Sequence, residues 1–203
     1  MSFTHSAITL LLASLLLSGC AMLERDEGLG GTRFYSLTPM SIGNAPFPQP
    51  NAQLRLGVGP IGLSRLLRRP QIITRKSETE VAMAEQHQWG GLLKEDISRT
   101  LAENFSTLLT THNIEQYPWK FSFKPHYHVR IDIDQLDGKL GQQVTLKARW
   151  RLMKGREEIA IENSVITTSV KGRSYNAYVA AQSEALGRLT REISQKIATH
   201  EEH

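Results

Sequence analysis

The sequence predicts an α/β fold of the α+β kind, a largely antiparallel sheet with two main helices packed on one side. Three observations predict it. Segments 126–134, 143–152 and 157–169 each alternate apolar and polar residues with period two. Segments 89–111 and 175–199 instead carry apolar residues at helical spacing. No internal repeat or second apolar core appears in the 203 residues, so they read as one domain.

Composition narrows the function classes. Hydrophobic residues at 40% and charged residues at 22% exclude wholesale disorder. A net charge of +4 is too mild to be the footprint of a nucleic-acid-binding protein. One cysteine excludes an intrachain disulfide, so its position carries the information.

That position is Cys20. Before it runs Ala7-Ile8-Thr9-Leu10-Leu11-Leu12-Ala13-Ser14-Leu15-Leu16-Leu17, too short for a membrane span and the right length for a signal-peptide core. The run ends in Leu17-Ser18-Gly19-Cys20. This resembles the bacterial lipobox, where small residues fit the processing site and the nucleophilic thiol receives the lipid. Residues 1–19 are therefore expected to be a signal peptide, although they lack its usual Lys or Arg. Residues 20–32 read as a lipidated N-terminus and flexible tether, polar and glycine-rich from Glu24 to Gly31. Ala21, by resemblance to bacterial lipoproteins, directs the product to the outer membrane. The expected product is anchored to a membrane rather than spanning it.

The remaining elements follow in order. Arg33–Leu37 is a short aromatic strand, and the four prolines of 39–51 mark a loop. Residues 52–60 alternate, with Ala52, Leu54, Leu56 and Val58 on one face. Gly57-Val58-Gly59-Pro60 lacks the later glycine and lysine of a phosphate loop and reads as strand exit. Residues 62–69 predict a short helix or turn closed by Pro70. Gln71–Arg75 and Glu80–Ala84 predict a hairpin. In the helix over 89–111, Leu93, Ile97, Leu101, Phe105 and Leu109 face the core, and Asp96 suits the dipole of its first turns. Tyr117-Pro118-Trp119 breaks the pattern, with Phe121 and Phe123 following. The three long strands then form a meander with one wet face, Asp137-Gly138 and Lys154-Gly155 marking turns. In the third strand Ile159, Ile161, Val165 and Thr167 share one parity. The last helix buries a stripe from Tyr178 to Ile197, and 200–203 form a polar tail.

No dinucleotide fingerprint, Walker loop, HExxH or GxSxG motif is present, so the reading is of a non-enzyme with no catalytic residue. His126 and His128 share a strand face but have no third ligand at convincing spacing, and no metal is expected. Asp132, Asp134 and Asp137 have the spacing of a solvated strand face. The informative cluster is basic: Arg65, Arg68, Arg69, Arg75 and Lys76 lie in a stretch without an acid, with Leu63, Leu66 and Leu67 between them. Such a segment suits an acidic protein surface or phospholipid headgroups, and equally a solvated loop whose leucines cover the core.

In order, the lipobox at Cys20, Phe34-Tyr35-Ser36-Leu37, Arg69-Pro70-Gln71-Ile72-Ile73-Thr74-Arg75, Trp89, Leu101-Ala102-Glu103-Asn104-Phe105 and Tyr117-Pro118-Trp119 resemble the bacterial ABC-transport auxiliary lipoproteins of the paraquat-inducible C (PqiC) type. The resemblance covers nearly all of 33–199. It implies a non-enzymatic outer-membrane lipoprotein, facing the periplasm, without a cofactor beyond the diacylglycerol and N-acyl chain on Cys20. The implied partners are a periplasm-spanning mammalian-cell-entry (MCE) protein with its inner-membrane component, and outer-membrane phospholipid through the acyl anchor. The implied process is lipid transport between membranes and envelope integrity. Arg65, Arg68, Arg69, Arg75 and Trp89 are the candidate contacts for that partner. A periplasmic lipid-binding carrier is the alternative and would need an internal apolar cavity. Oligomeric state stays open, since a homo-oligomeric ring would suit a dock but no repeat or heptad demands one.

Overall fold

Among the described residues, eight strands and two α-helices are arranged as two sheets, with both helices on one side of the larger. The computed structural model describes residues 31–41 and 52–201. The expected signal peptide, Cys20, the expected tether before Gly31, the proline-rich segment beyond Ser41 and the last two residues of the sequence lie outside them. The strands are β1 (Arg33–Tyr35), β2 (Leu56–Leu63), β3 (Gln71–Arg75), β4 (Val81–Trp89), β5 (Ile114–Gln116), β6 (Tyr127–Lys139), β7 (Gln143–Lys154) and β8 (Glu157–Ser169). The helices are α1 (Leu93–Leu109) and α2 (Tyr175–Glu201). The five-stranded sheet has the order β5-β2-β6-β7-β8 and the small sheet β1-β4-β3. The long ladders β6–β7 and β7–β8 are antiparallel, as is β3–β4, while β2 runs parallel to β5 and β6.

The period-two segments form strands because one parity is apolar. Tyr127, Val129, Ile131 and Ile133 of β6 and Val144, Leu146, Ala148, Trp150 and Leu152 of β7 are all buried. The helices bury Leu93, Ile97, Leu101 and Phe105 from α1 and Tyr178, Ala185, Leu189, Ile193 and Ile197 from α2 against them. The alanines of α2 let its backbone lie close to the sheet. Ser174 Oγ accepts the Ala177 N–H at 3.2 Å at the start of α2, satisfying one free helix donor.

Four expectations need correction. β2 does not end at Gly59-Pro60: it continues to Leu63, its register with β6 shifting between Val58 and Ile61. Such an irregularity is where a strand tolerates the missing N–H of proline. The hairpin's second strand runs to Trp89, so Trp89 belongs to β4 and α1 begins at Leu93. Asp137-Gly138 is not a turn. Both residues sit in β6, and the chain reverses at 140–142. In β8, the parity of Ile161 and Val165 faces away from the helices, while Ser164, Ile166 and Thr168 are buried. The helix-facing side of this edge strand is partly polar for a specific reason. Ser164 Oγ accepts the Trp150 indole N–H at 3.0 Å and donates to Glu192 of α2 at 2.6 Å.

Segment 36–40 is strapped across both helices. Asp96 accepts the Leu37 N–H at 2.6 Å and the Ser36 hydroxyl at 3.0 Å. Asn104 accepts the Met40 N–H at 2.7 Å, and Ser183 of α2 accepts that of Thr38 at 3.1 Å. The acid read as a helix-dipole partner therefore also fixes the entry of the chain. Its hydrogen bond to Arg99 is the main reason that guanidinium is held above its ordinary range.

Candidate functional site

The basic segment forms a loop locked onto the core from below. After β2, Leu66–Arg68 makes one 3₁₀ turn, with Leu67 N–H donating to Ser64 O at 3.1 Å. Ser64 N–H reaches across to Ile133 O of β6 at 3.1 Å. Leu63 and Leu67 are buried, which fixes the direction of the residues between them. Arg65, Arg68 and Arg69 are left exposed on the outside of the turn. Arg68 Nε donates to Leu63 O at 2.9 Å, closing the loop on itself. Arg69 is extended, as a residue before proline should be, and Pro70 O then accepts the Trp89 N–H at 2.8 Å. Among the described residues, the side chains of Arg65 and Arg69 have no ion-pair partner. Three guanidinium groups thus stand on a short, fixed turn, which suits recognition of carboxylates or phosphates.

Arg75 and Trp89 are not part of that surface. Arg75 turns inward to Asp137, with Nε 2.5 Å from Oδ1 and a second nitrogen 3.3 Å from Oδ2, and also donates to Glu78 O. The Asp137 side chain is 2% exposed and accepts a further bond from Gln135 at 2.8 Å. Beside it, the Tyr178 hydroxyl accepts the Gly138 N–H at 2.7 Å and lies 2.9 Å from Ile73 O. Burial is the main cause that pushes this phenol well above its ordinary value of 10. These groups join β3, β6 and α2, so Arg75 holds the small sheet to the large one. Trp89 is 6% exposed and packs in the core. Its backbone ties β4 to the end of the loop at Pro70, while its ring is turned into the core and away from the surface. Cys20 lies outside the described residues.

His126 and His128 are also accounted for. Arg55 donates its backbone N–H to Nδ1 of His126 at 3.3 Å and brings a guanidinium nitrogen to 3.1 Å from Nε2. His128 lies under Trp119, ring centroids 5.9 Å apart, and burial holds it below the ordinary 6.5. Among the described residues no group of three or more His, Cys, Asp or Glu side chains is placed to hold a metal. Three open grooves of about 340 to 530 Å³ lie elsewhere, one along segment 38–41 and α2, one between β8 and α2, and one beside Gly90 and the start of α1.

One surface feature carried no functional reading in the sequence. The segment Tyr117–Lys124 leaves the sheet after β5 and turns sharply, Phe123 N–H donating to Lys120 O at 2.9 Å. Phe121 at the corner is 92% exposed. The run of Tyr, Trp and two Phe was the available signal, but residues of these types are ordinarily core.

Residues 35–194 match the family described as the ABC-type transport auxiliary lipoprotein component. The chain belongs to this family. The auxiliary lipoproteins are a transport family, not an enzyme family, and no curated protein matches the chain beyond that. Two solved structures share the fold. A Xanthomonas campestris protein of family DUF330 aligns with a TM-score of 0.68 at 17% identity, covering 84% of this chain and 98% of that one. A second, described only as an uncharacterized protein, aligns at 0.68 and 14% identity, covering 82% and 99%. No helix among the described residues of this auxiliary lipoprotein is long and apolar enough to cross a membrane.

Proposed function

We propose that this auxiliary lipoprotein is a dock. Acyl chains on Cys20 hold it at the periplasmic face of the outer membrane, and the folded body captures the end of a periplasm-spanning MCE protein that serves lipid transport between membranes. The observation that carries the reading is the fixed, exposed triplet of Arg65, Arg68 and Arg69, in a chain whose family is a transport auxiliary. A rigid basic turn recognises an acidic partner surface without first being ordered. Arg75 and Trp89 serve the dock only through the fold, Arg75 by tying β3 to β6 and Trp89 by packing in the core. Among the described residues the two helices occupy the apolar face of the large sheet, which favours the dock over the carrier alternative.

The test is capture of native partners by the full-length protein from gently solubilised envelopes, with identification by mass spectrometry. The triple replacement Arg65→Ala, Arg68→Ala and Arg69→Ala should weaken capture on the order of tenfold or more while the fold is kept. Unchanged capture by the folded variant refutes the role of the triplet. Cys20→Ala should abolish membrane association, and recovery of no MCE-type protein in several mild detergents refutes the dock itself.

A further inference from the structure

We propose that Tyr117–Lys124 is a membrane-contact finger that enters the headgroup boundary of a bilayer containing anionic phospholipid. Four observations converge on this occupant. The first is the tip. A tight turn closed by the Phe123 N–H and Lys120 O sets Phe121 outward at its corner, 92% exposed. Water is a poor place for so large an apolar ring.

The second is the layering of side chains behind the tip. Tyr117, also exposed, and Trp119 carry an apolar ring with a polar handle, the chemistry that favours a membrane–water interface. Lys120 and Lys124 flank the tip, and Lys124 Nζ lies 4.3 Å from the Phe121 ring centre. This ammonium caps the ring as a cation–π pair, and on insertion it must leave the ring face and swing back to the phosphates, a movement the long lysine stem allows.

The third is charge. No Asp or Glu occurs from Tyr117 to Ile131, while Lys120, Lys124 and Arg130 do, and the one carboxylate bonded to the finger, Glu115, is engaged at its base by the Lys120 backbone N–H at 3.2 Å. The complement is an anionic surface. The fourth is rigidity and size. Trp119 stands edge-on to Tyr117, centroids 5.5 Å apart, and packs on Gly57 of β2 so closely that a Cβ there would lie 2.8 Å from its ring. The finger is thus held in shape before it binds, which lowers the ordering cost. One narrow turn offers much less than the ~800 Å² per partner of a stable protein interface, whereas a bilayer needs only a wedge. Membership of a lipoprotein family supplies the nearby membrane.

The proposal shares only that proximity with the docking role, so the two can fail separately. The test uses full-length acylated protein reconstituted in vesicles of phosphatidylethanolamine with or without phosphatidylglycerol. A nitroxide label is placed by Ser122→Cys, beside the tip, and in a control by Lys171→Cys on the exposed segment after β8. The parent protein carried through the same labelling reports any unacylated Cys20. Expected is a severalfold drop in collision of the Ser122 label with a water-soluble nickel chelate and a rise in collision with oxygen, both larger with phosphatidylglycerol. The Lys171 label should stay in water. Phe121→Ser, and separately Lys120→Glu with Lys124→Glu, should return the Ser122 label to water. These positions are on the surface, so the fold is kept, as circular dichroism would verify. A label equally water-exposed in both vesicles overturns the proposal. So does burial that survives both variants, or burial that requires an added protein partner.

Discussion

Replacing Arg75 with alanine is the sharpest test of whether the basic segment is one surface or two parts with different duties. In the structure its guanidinium makes a two-point ion pair with a carboxylate that is 2% exposed, and is itself 26% exposed. Removing one partner of a buried pair typically costs about 3–5 kcal/mol, because the other charge stays buried without compensation. Here Asp137 would retain only the bond from Gln135 at 2.8 Å, and partial access of water to the vacated site offsets some of the loss. The expected cost is the lower end, about 3 kcal/mol. For a body of this size each kcal/mol moves the midpoint by roughly 2–4 °C, so Tm should fall by about 6–12 °C. Asp137→Asn should cost less, about 1–2 kcal/mol, because Arg75 keeps Glu78 O and reaches solvent. Thermal unfolding of the purified protein by circular dichroism measures both, and the double variant Arg75→Leu with Asp137→Leu should recover part of the loss. Below its midpoint, Arg75→Ala should still capture partner as the parent does. A variant with unaltered Tm and lost capture would refute the structural role and return Arg75 to the docking surface.

Further outcomes follow from the same contacts. Gly138→Ala should be among the most damaging single changes, since the added Cβ would collide with the backbone oxygen of Gln143 and sit 2.8 Å from Val144 Cα. Soluble yield and urea midpoint would show a loss above ~3 kcal/mol, and a near-neutral result would contradict the tight β6–β7 register. Tyr178→Phe should lower stability by about 1–3 kcal/mol at neutral pH by stranding the Gly138 N–H and Ile73 O. It should also flatten the alkaline limb. The folded phenol is raised by burial, so its contribution is whole below pH 10 and is lost as pH climbs above 10, where the unfolded chain ionises first. An unchanged alkaline slope in the variant would contradict this. His87 lies 3.8 Å from the Tyr175 ring in a stack and 2.6 Å from the Tyr35 hydroxyl, and burial, then Arg33, lowers its pKa. Its contribution is present above pH 6.5 and lost as pH falls below that value. An NMR titration giving His87 a pKa at or above 6.5 would rule this out.

The elements with their own periodicity were legible in the residues. β7, β8 and both helices lie close to where alternation or helical spacing puts them, because each buries one face against a partner of the same kind. The errors occur where a distant partner decides. Asp137-Gly138 has the composition of a turn, but Arg75 satisfies the aspartate from 62 positions away and Gln143 leaves the glycine no room for a side chain. β5 has only three residues and exists because β2 pairs with it in parallel, leaving no local pattern to find.

The arginines make the same point for the candidate site. Arg65, Arg68, Arg69 and Arg75 are chemically alike and spaced within one short stretch, so charge alone treats them as one patch. What separates them is the phase of the neighbouring apolar residues. Leu63 and Leu67 enter the core, and the turn between them must present Arg65, Arg68 and Arg69 outward. Arg75 ends a strand whose Ile72 and Ile73 are both buried, a sign that β3 is covered on both faces, so a cation there needs an anion within the protein. β8 obeys the same logic in reverse. Its alternation is real, but alternation does not say which parity meets the helices. Glu192 and Lys196 of α2 bond to Ser164 and Glu162, so the polar parity meets the helix and Val165, 67% exposed, is turned to the open face. Pattern thus assigns residues to faces, and the chemistry of the opposing element decides which face is the inside.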